Sequence, residues 1–239
     1  MQNSNTPYSE TQEGRKVDAS RSPCPGKGEQ DTLAAPGSAR GPYYTALVQL
    51  PALVDGREIA FQAQGFRSRM TGAEALCLTH RNESKSGEPP IVRVHSGCVT
   101  GDIFHSLRCD CREQLQCALR VIVAAAYGVL IYLPAHEGRG IGLFEKLRAY
   151  GLQEKGLDTV DANLALGAPV DARDYTLAAE ILGYLGLTRL RLLSNNPAKA
   201  NALREKQITI LECMPIVVES NHHNERYMQT KRDRLSHGI

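Results

Sequence analysis

Residues 174–212 read DYTLAAEILGYLGLTRLRLLSNNPAKANALREKQITILE, and the period of this stretch changes several times. Asp174 to Leu185 reads as a helix ended by Gly186, and Leu190 to Leu193 as a short strand. Pro197 to Lys206 reads as a second helix, opened by Asn196-Pro197, because proline at the first helical position gives up an N–H that has no partner there anyway. Ile208 to Glu212 is again a strand. Helices alternating with short apolar strands specify an α/β domain. Upstream the alternation continues with a helix over Leu143–Lys155 ended by Gly156, and a strand over Val129–Leu133. A further helix over Glu113–Ala126 carries Leu115, Leu119, Ile122 and Ala126 on one face. Ile91–His95 and Ala75–Thr79 read as strands separated by a polar loop, 82–90. Thr45–Leu53 and Ile59–Gln64 form a hairpin around Asp55-Gly56. The expected fold is therefore α/β, with a mixed sheet, an N-terminal antiparallel hairpin and flanking helices, over residues 41–239. Residues 1–40 carry few large apolar side chains and read as a disordered tail.

Lys and Arg total 28 against 26 Asp and Glu, so no global charge favours nucleic acid, and any cationic site must be a local cluster aimed at a small anion. No apolar run is long enough to span a membrane, and the N-terminus lacks a signal-peptide layout. The expected setting is the cytoplasm, with neither membrane nor nucleic acid as partner.

Seven cysteines are distributed unevenly. Cys24 lies in the tail, and Cys77, Cys117 and Cys213 sit among apolar neighbours and read as small buried hydrophobes. The other three lie within fourteen residues, as Cys98 and then Cys109-Asp110-Cys111. Two cysteines flanking an Asp, between Arg108 and Arg112, are poor core material. Three thiolates and an open fourth position suit a catalytic zinc ion; His95 as a fourth ligand would make the site closed and structural.

Three further clusters point to an anion. Gly138-Arg139-Gly140-Ile141-Gly142 follows a strand and opens a helix, where free N–H groups favour phosphate, although a plain glycine-rich turn reads equally well. Asp171-Ala172-Arg173-Asp174 offers either a helix cap at Asp171 or a general base beside a cation. Ser194-Asn195-Asn196-Pro197-Ala198-Lys199 stands at a strand's carboxyl end, and Lys199 in a first helical turn opposes the helix dipole unless it serves a ligand. Tyr150, at helical spacing from Leu143 and Leu147, reads by default as core.

In order along the chain, Arg93-Val94-His95-Ser96, Thr100-Gly101-Asp102, Leu107-Arg108-Cys109-Asp110-Cys111, Glu137 to Leu143, Asp171-x-Arg173-Asp174 and Asn195-Asn196-Pro197 closely resemble the GTP cyclohydrolase II family over about residues 43–235. The resemblance implies opening of the GTP imidazole ring. C8 leaves as formate, pyrophosphate is released, and 2,5-diamino-6-ribosylamino-4(3H)-pyrimidinone 5′-phosphate is formed, the first step towards riboflavin. It implies Zn2+ on Cys98, Cys109 and Cys111, lowering the pKa of a bound water towards ~7, Mg2+ with the triphosphate, and a homodimer. Arg93, Val94, His95, Ser96, Gly97, Gln114, Glu137, Gly138, Arg139, Thr159, Ser194 and Lys199 match GTP-binding positions. Asp171 matches the proton acceptor, Arg173 a nucleophile at the α-phosphate, and Tyr150 a tyrosine near the reacting ring. A guanidinium with a pKa above ~12 is a weak nucleophile, so a phosphate clamp is the easier role for Arg173.

The chain departs from the family pattern at Gly97, where Glu is usual, at Arg112, where Gly is usual, and at Pro134-Ala135-His136, where the strand usually ends Arg-Gln. Two alternatives follow: a paralogue of a specialised pathway with an altered product, or a zinc-stabilised GTP-binding regulator without turnover.

Overall fold

The computed structural model describes residues 41–235 apart from 83 and 86. The tail expected over 1–40, with Cys24, lies outside the described residues. An eight-stranded mixed sheet forms the centre. Its strands are β1 (Tyr43–Tyr44), β2 (Val48–Val54), β3 (Arg57–Arg67), β4 (Glu74–Arg81), β5 (Ile91–Ser96), β6 (Tyr127–Leu133), β7 (Arg189–Leu193) and β8 (Thr209–Met214). The order is β1-β3-β4-β6-β5-β7-β8, with β2 also on β3. Pairing is antiparallel from β1 to β6 and parallel among β6, β5, β7 and β8. The expected hairpin is present as β2–β3, and the Asp55-Gly56 turn has positive φ at both residues, 50° and 73°, as a tight hairpin requires. The strand expected over Thr45–Leu53 begins only at Val48; before it, Thr45 Oγ1 accepts from Gly65 N at 3.1 Å.

Among the described residues six α-helices flank the sheet: α1 (Cys111–Ala124), α2 (Gly142–Glu154), α3 (Thr159–Ala165), α4 (Thr176–Tyr184), α5 (Pro197–Glu205) and α6 (Glu225–Leu235). α4 is apolar on most sides, with Leu177, Ala178, Ala179, Ile181 and Leu182 buried in the main core with Val92, Val94, Val129 and Ile131 of the sheet. α1 buries Ala118 and Ile122 on the sheet. It approaches β6 so closely that a Cβ on Gly128 would stand 2.4 Å from the Ile122 carbonyl oxygen. None of the helices among the described residues is long and apolar enough to cross a membrane.

Three expectations are corrected. Cys213 is exposed on β8 and Cys117 only part-buried, so of the three lone cysteines Cys77 alone is a core residue. α2 presents the opposite face to that expected: Lys146 and Ala149 are buried, while Leu143, Phe144 and Leu147 are exposed. The reason is that α2 packs over a polar loop rather than over the sheet. Asp171 caps no helix, because α4 begins at Thr176 and Asp174 Oδ1 accepts from Thr176 N at 2.9 Å.

Candidate active site

Parallel strands deliver their carboxyl ends to one edge of a sheet, where ligands bind in open α/β folds. Here β5 runs into Gly97-Cys98, β6 into a tight 3-10 segment, Pro134–Arg139, and β7 into Ser194-Asn195-Asn196. These ends border a cavity of about 1100 Å³ counted out to its open mouth. Of the residues given metal, GTP-binding or catalytic roles from the sequence, all line it except Val94, Glu137 and Asp171.

One end of the cavity is a thiol cluster. The sulfurs of Cys98, Cys109 and Cys111 all lie within 4.8 Å of one another, with Cys98 and Cys109 at 3.8 Å. Tetrahedral ligands at ~2.3 Å from zinc stand ~3.8 Å apart, so the donor set fits that ion. Gly101 makes the cluster possible, since a Cβ there would lie 2.9 Å from Cys109 Sγ and 3.1 Å from Cys98 Sγ. His95 does not join it. Its Nε2 lies 3.2 Å from both oxygens of Asp102, which also accepts from Cys98 N at 2.9 Å and from Tyr132 Oη at 3.0 Å. The thiols therefore form a three-ligand set, which favours the open arrangement over the closed one.

Buried Lys146 braces this end. Its Nζ donates to Cys98 Sγ at 3.0 Å, Thr100 Oγ1 at 2.8 Å and Glu137 Oε1 at 2.5 Å. Glu137 accepts from Val99 N at 2.6 Å with its other oxygen, so its carboxylate supports the thiol loop. Hydrogen bonds from Cys109 and Cys111, reinforced by the Lys146 ammonium, outweigh burial and hold the Cys98 thiol far below the usual thiol range.

The other end is cationic. Arg173 donates from Nε to Asp171 Oδ1 at 2.8 Å and from Nη2 to Asp171 Oδ2, while its backbone N donates to Oδ1 at 3.1 Å. Burial pushes the Asp171 carboxyl up, but the hydrogen bonds and charge of Arg173 hold it below the usual range. The loop carrying this pair leans on Gly140, where a Cβ would meet the Ala172 backbone at 3.0 Å. Arg139 has φ 64°, and both its terminal nitrogens are buried without a protein partner, as is Arg93 Nε. Buried donors of this kind are strongly unfavourable unless a ligand satisfies them. Lys199, buried at the start of α5, donates to the Val94 carbonyl at 2.6 Å. Desolvation, then the charges of Arg93, Arg173 and Lys231, depress its pKa well below the usual lysine value. Tyr150 lies near the thiol end: its Oη is 3.4 Å from Thr100 Oγ1, and the Arg108 guanidinium sits 4.3 Å from its ring centroid.

A profile of the family described as GTP cyclohydrolase II matches residues 51–215. The chain belongs to the GTP cyclohydrolase II family. It is 50% identical over 177 residues to the GTP cyclohydrolase-2 of Neisseria gonorrhoeae, covering 74% of this chain and 88% of that protein. It is 49% identical over 177 residues to the riboflavin biosynthesis protein RibBA of Aquifex aeolicus, covering 74% of this chain but 43% of that protein. The chain thus spans less than half the length of the RibBA relatives it matches.

Two of the departures from the GTP cyclohydrolase II pattern are packed into this site. A Cβ on Gly97 would lie 3.1 Å from the Leu133 carbonyl, from Pro134 Cα and from Tyr132 Oη, so a carboxylate side chain has no room without a shift. His136 Nε2 lies 2.9 Å from the Asp174 carbonyl, which can only accept, so Nδ1 carries no proton and accepts from Ser96 Oγ at 3.2 Å. The Ser96 oxygen is in turn 3.4 Å from Arg173 Nη1. At Arg112, Nη1 is buried without a hydrogen-bond partner; nothing else in the structure explains this departure. Sequence reasoning gives no site role to Asp110, Lys146, Tyr227 or Lys231, all of which line the cavity. Lys146 carries a signal: it stands four residues before Tyr150 and so on the same side of the helix.

Proposed function

We propose that this chain hydrolyses GTP, opening the imidazole ring to release formate from C8, releasing pyrophosphate, and leaving 2,5-diamino-6-ribosylamino-4(3H)-pyrimidinone 5′-phosphate for riboflavin synthesis. The observation that carries this reading is the cavity itself, with three thiols at zinc spacing at one end and the Asp171–Arg173 pair beside Arg139 and Lys199 at the other. Family membership and the name of the Neisseria relative support the same reaction.

Cys98, Cys109 and Cys111 would hold Zn2+, which supplies an activated water and polarises the reacting carbon. The remaining steps belong to the chain. Arg139 turns two unpartnered nitrogens to the triphosphate, which arrives with Mg2+. Asp171, ionised at neutral pH, accepts a proton. Arg173 stays charged, because Asp171 occupies Nε and Nη2 and more than offsets its burial. A guanidinium so held clamps the α-phosphate rather than attacking it. Tyr150 orients the base through its hydroxyl at Thr100.

We assign the cytoplasm as the setting, since all six described cysteines are free and a thiolate site persists in a reducing compartment. We also assign a homodimer. Ile103, Phe104 and Leu107 are exposed, as are Leu143, Phe144 and Leu147 of α2. Exposed apolar side chains in such number suit contact with a second copy.

Incubation of the zinc-loaded protein with GTP and Mg2+, followed by formate assay and mass analysis, tests the reading. Equimolar formate and the diaminopyrimidine are expected. Formamide or retained pyrophosphate in the product would instead support the altered-product reading, which Gly97 and His136 motivate. Tight GTP binding without formate would leave the regulator.

A further inference from the structure

Helix α6 lies beyond residues 51–215, the span that matches the family profile, yet Tyr227, Lys231 and Leu235 of this helix line the cavity. Its polar sequence gives no apolar stripe to bury, and charged contacts seat it instead. Arg226 donates to the Gly156 carbonyl at 2.6 Å, and Arg234 pairs with Asp158 and with Asp161, the latter at 2.8 Å. Lys231 reaches furthest inward. Its Nζ donates to both oxygens of Asp110, at 2.8 Å and 2.7 Å, and both side chains are almost completely buried.

Asp110 sits between two of the three thiols in sequence and is the first link of a chain of polar contacts. Gln114 Nε2 donates to Asp110 Oδ2 at 2.5 Å, and the Arg93 guanidinium donates to Gln114 Oε1 at 2.7 Å. Arg93 then donates to the Leu193 carbonyl at 3.0 Å, at the end of β7. Asp110 is the residue before α1, yet its side chain makes no capping bond, because both oxygens are committed to this network.

We propose that Lys231 is a positioning residue: it anchors Asp110, and through Asp110 it holds the Cys109–Cys111 segment and the Gln114–Arg93 pair in their working geometry, so that α6 completes the site. Without the ammonium the Asp110 carboxylate is buried and uncompensated, and it must turn towards another donor. That rotation releases Gln114 and disturbs the two flanking thiols. The nucleotide half of this inference rests on the GTP reading; the metal half does not.

The test uses full-length protein with two readouts. One is the rate at which zinc is lost to the chromogenic chelator 4-(2-pyridylazo)resorcinol. The other is the affinity for an α,β-methylene analogue of GTP, measured by calorimetry. Lys231→Met is expected to speed zinc loss and to weaken analogue binding by about tenfold or more, as truncation of a buried charge pair does. Lys231→Arg keeps a charged donor and should recover most of both. Asp110→Asn placed on Lys231→Met should also recover part, because it removes the orphaned charge while leaving an oxygen for Gln114. A purely structural helix would lower the melting temperature without this pattern. Unchanged zinc loss and unchanged affinity in Lys231→Met would overturn the proposal. If Lys231→Met does not fold, the Arg variant and the double variant carry the same two readouts: near-wild-type values in the first with intermediate values in the second are expected, and wild-type values in the double variant would overturn the proposal. Should wild type fail to bind the analogue while Lys231→Met still sheds zinc faster, the GTP reading falls and the anchoring of Asp110 stands.

Discussion

Cys109 holds its sulfur 3.8 Å from that of Cys98 and shares Gly101 as a neighbour, so neither can move without opening the cluster. Cys109→Ser should therefore lose bound zinc and all formate release, while keeping its secondary structure by circular dichroism. Full activity in that variant would show that the metal sits elsewhere. Lys199 makes a second prediction. Its pKa is depressed by burial beside Arg93, Arg173 and Lys231, and a triphosphate next to it reverses that pressure. Nucleotide binding should thus raise the proton affinity of Lys199, seen as a dependence of calorimetric enthalpy on buffer ionisation heat that grows as pH is increased; Lys199→Met should reduce that dependence. His136 makes a third. Burial, then the charges of Arg173 and Lys199, bring its pKa from 6.5 down to about 4. The unfolded chain then binds the extra proton between these values, so stability present above pH 6.5 is lost as pH falls towards 4. Thermal melts from pH 7 to pH 4.5 should fall less steeply for His136→Gln than for wild type. Parallel slopes would mean that another group carries the effect.

At the scale of elements, α2 is the informative one. Its leucines face outward and its lysine inward, the reverse of what an apolar stripe on a helix usually means. If the outward face meets a second copy, Phe144→Asp should shift the sedimentation of the protein towards monomer while leaving the helix content intact. A dimer unaffected by that change would place the interface elsewhere. α2 also shows where sequence reading stops. Periodicity located the helix within a residue at each end, but not what it packs against, because that depends on the thiol loop brought over it by Lys146. α3 and α6 escaped notice for a related reason. α3 has seven residues and is fixed by Asp158, whose side chain accepts from Val160 N and Asp161 N at 2.8 Å. α6 is seated by Lys231 and Arg234 rather than by an apolar face. By contrast β5, β6, β7, α1 and α5 were legible, since they bury apolar side chains at regular spacing. The thiol cluster was legible too, because its three members are close in sequence. The Lys146–Glu137 brace and the Ser96–His136 contact were not, since each joins side chains that only the fold brings together.

The whole molecule depends on how closely α1 lies against β6. Gly128 permits that approach, and Gly128→Ala would drive a methyl into the Ile122 backbone. Overpacking of this kind costs about 1–3 kcal/mol, read as a lower urea midpoint at unchanged slope; an unchanged midpoint would show that the helix can shift freely. The two ends of the cavity also differ in how they are gathered along the chain. The thiols are confined to residues 98–111, whereas the cationic wall draws on Arg93 of β5, Arg139 after β6, Arg173 before α4 and Lys199 of α5. A thiophilic ion can therefore be chelated by the unfolded chain, which blunts the stabilisation that metal gives the folded state. During synthesis the thiol segment leaves the ribosome before Arg173 and Lys199 have been made. On the proposed function, the metal end would be loaded early and locally while the phosphate end waits for the parallel strands to assemble, so an ion would arrive before there is anywhere to put a nucleotide.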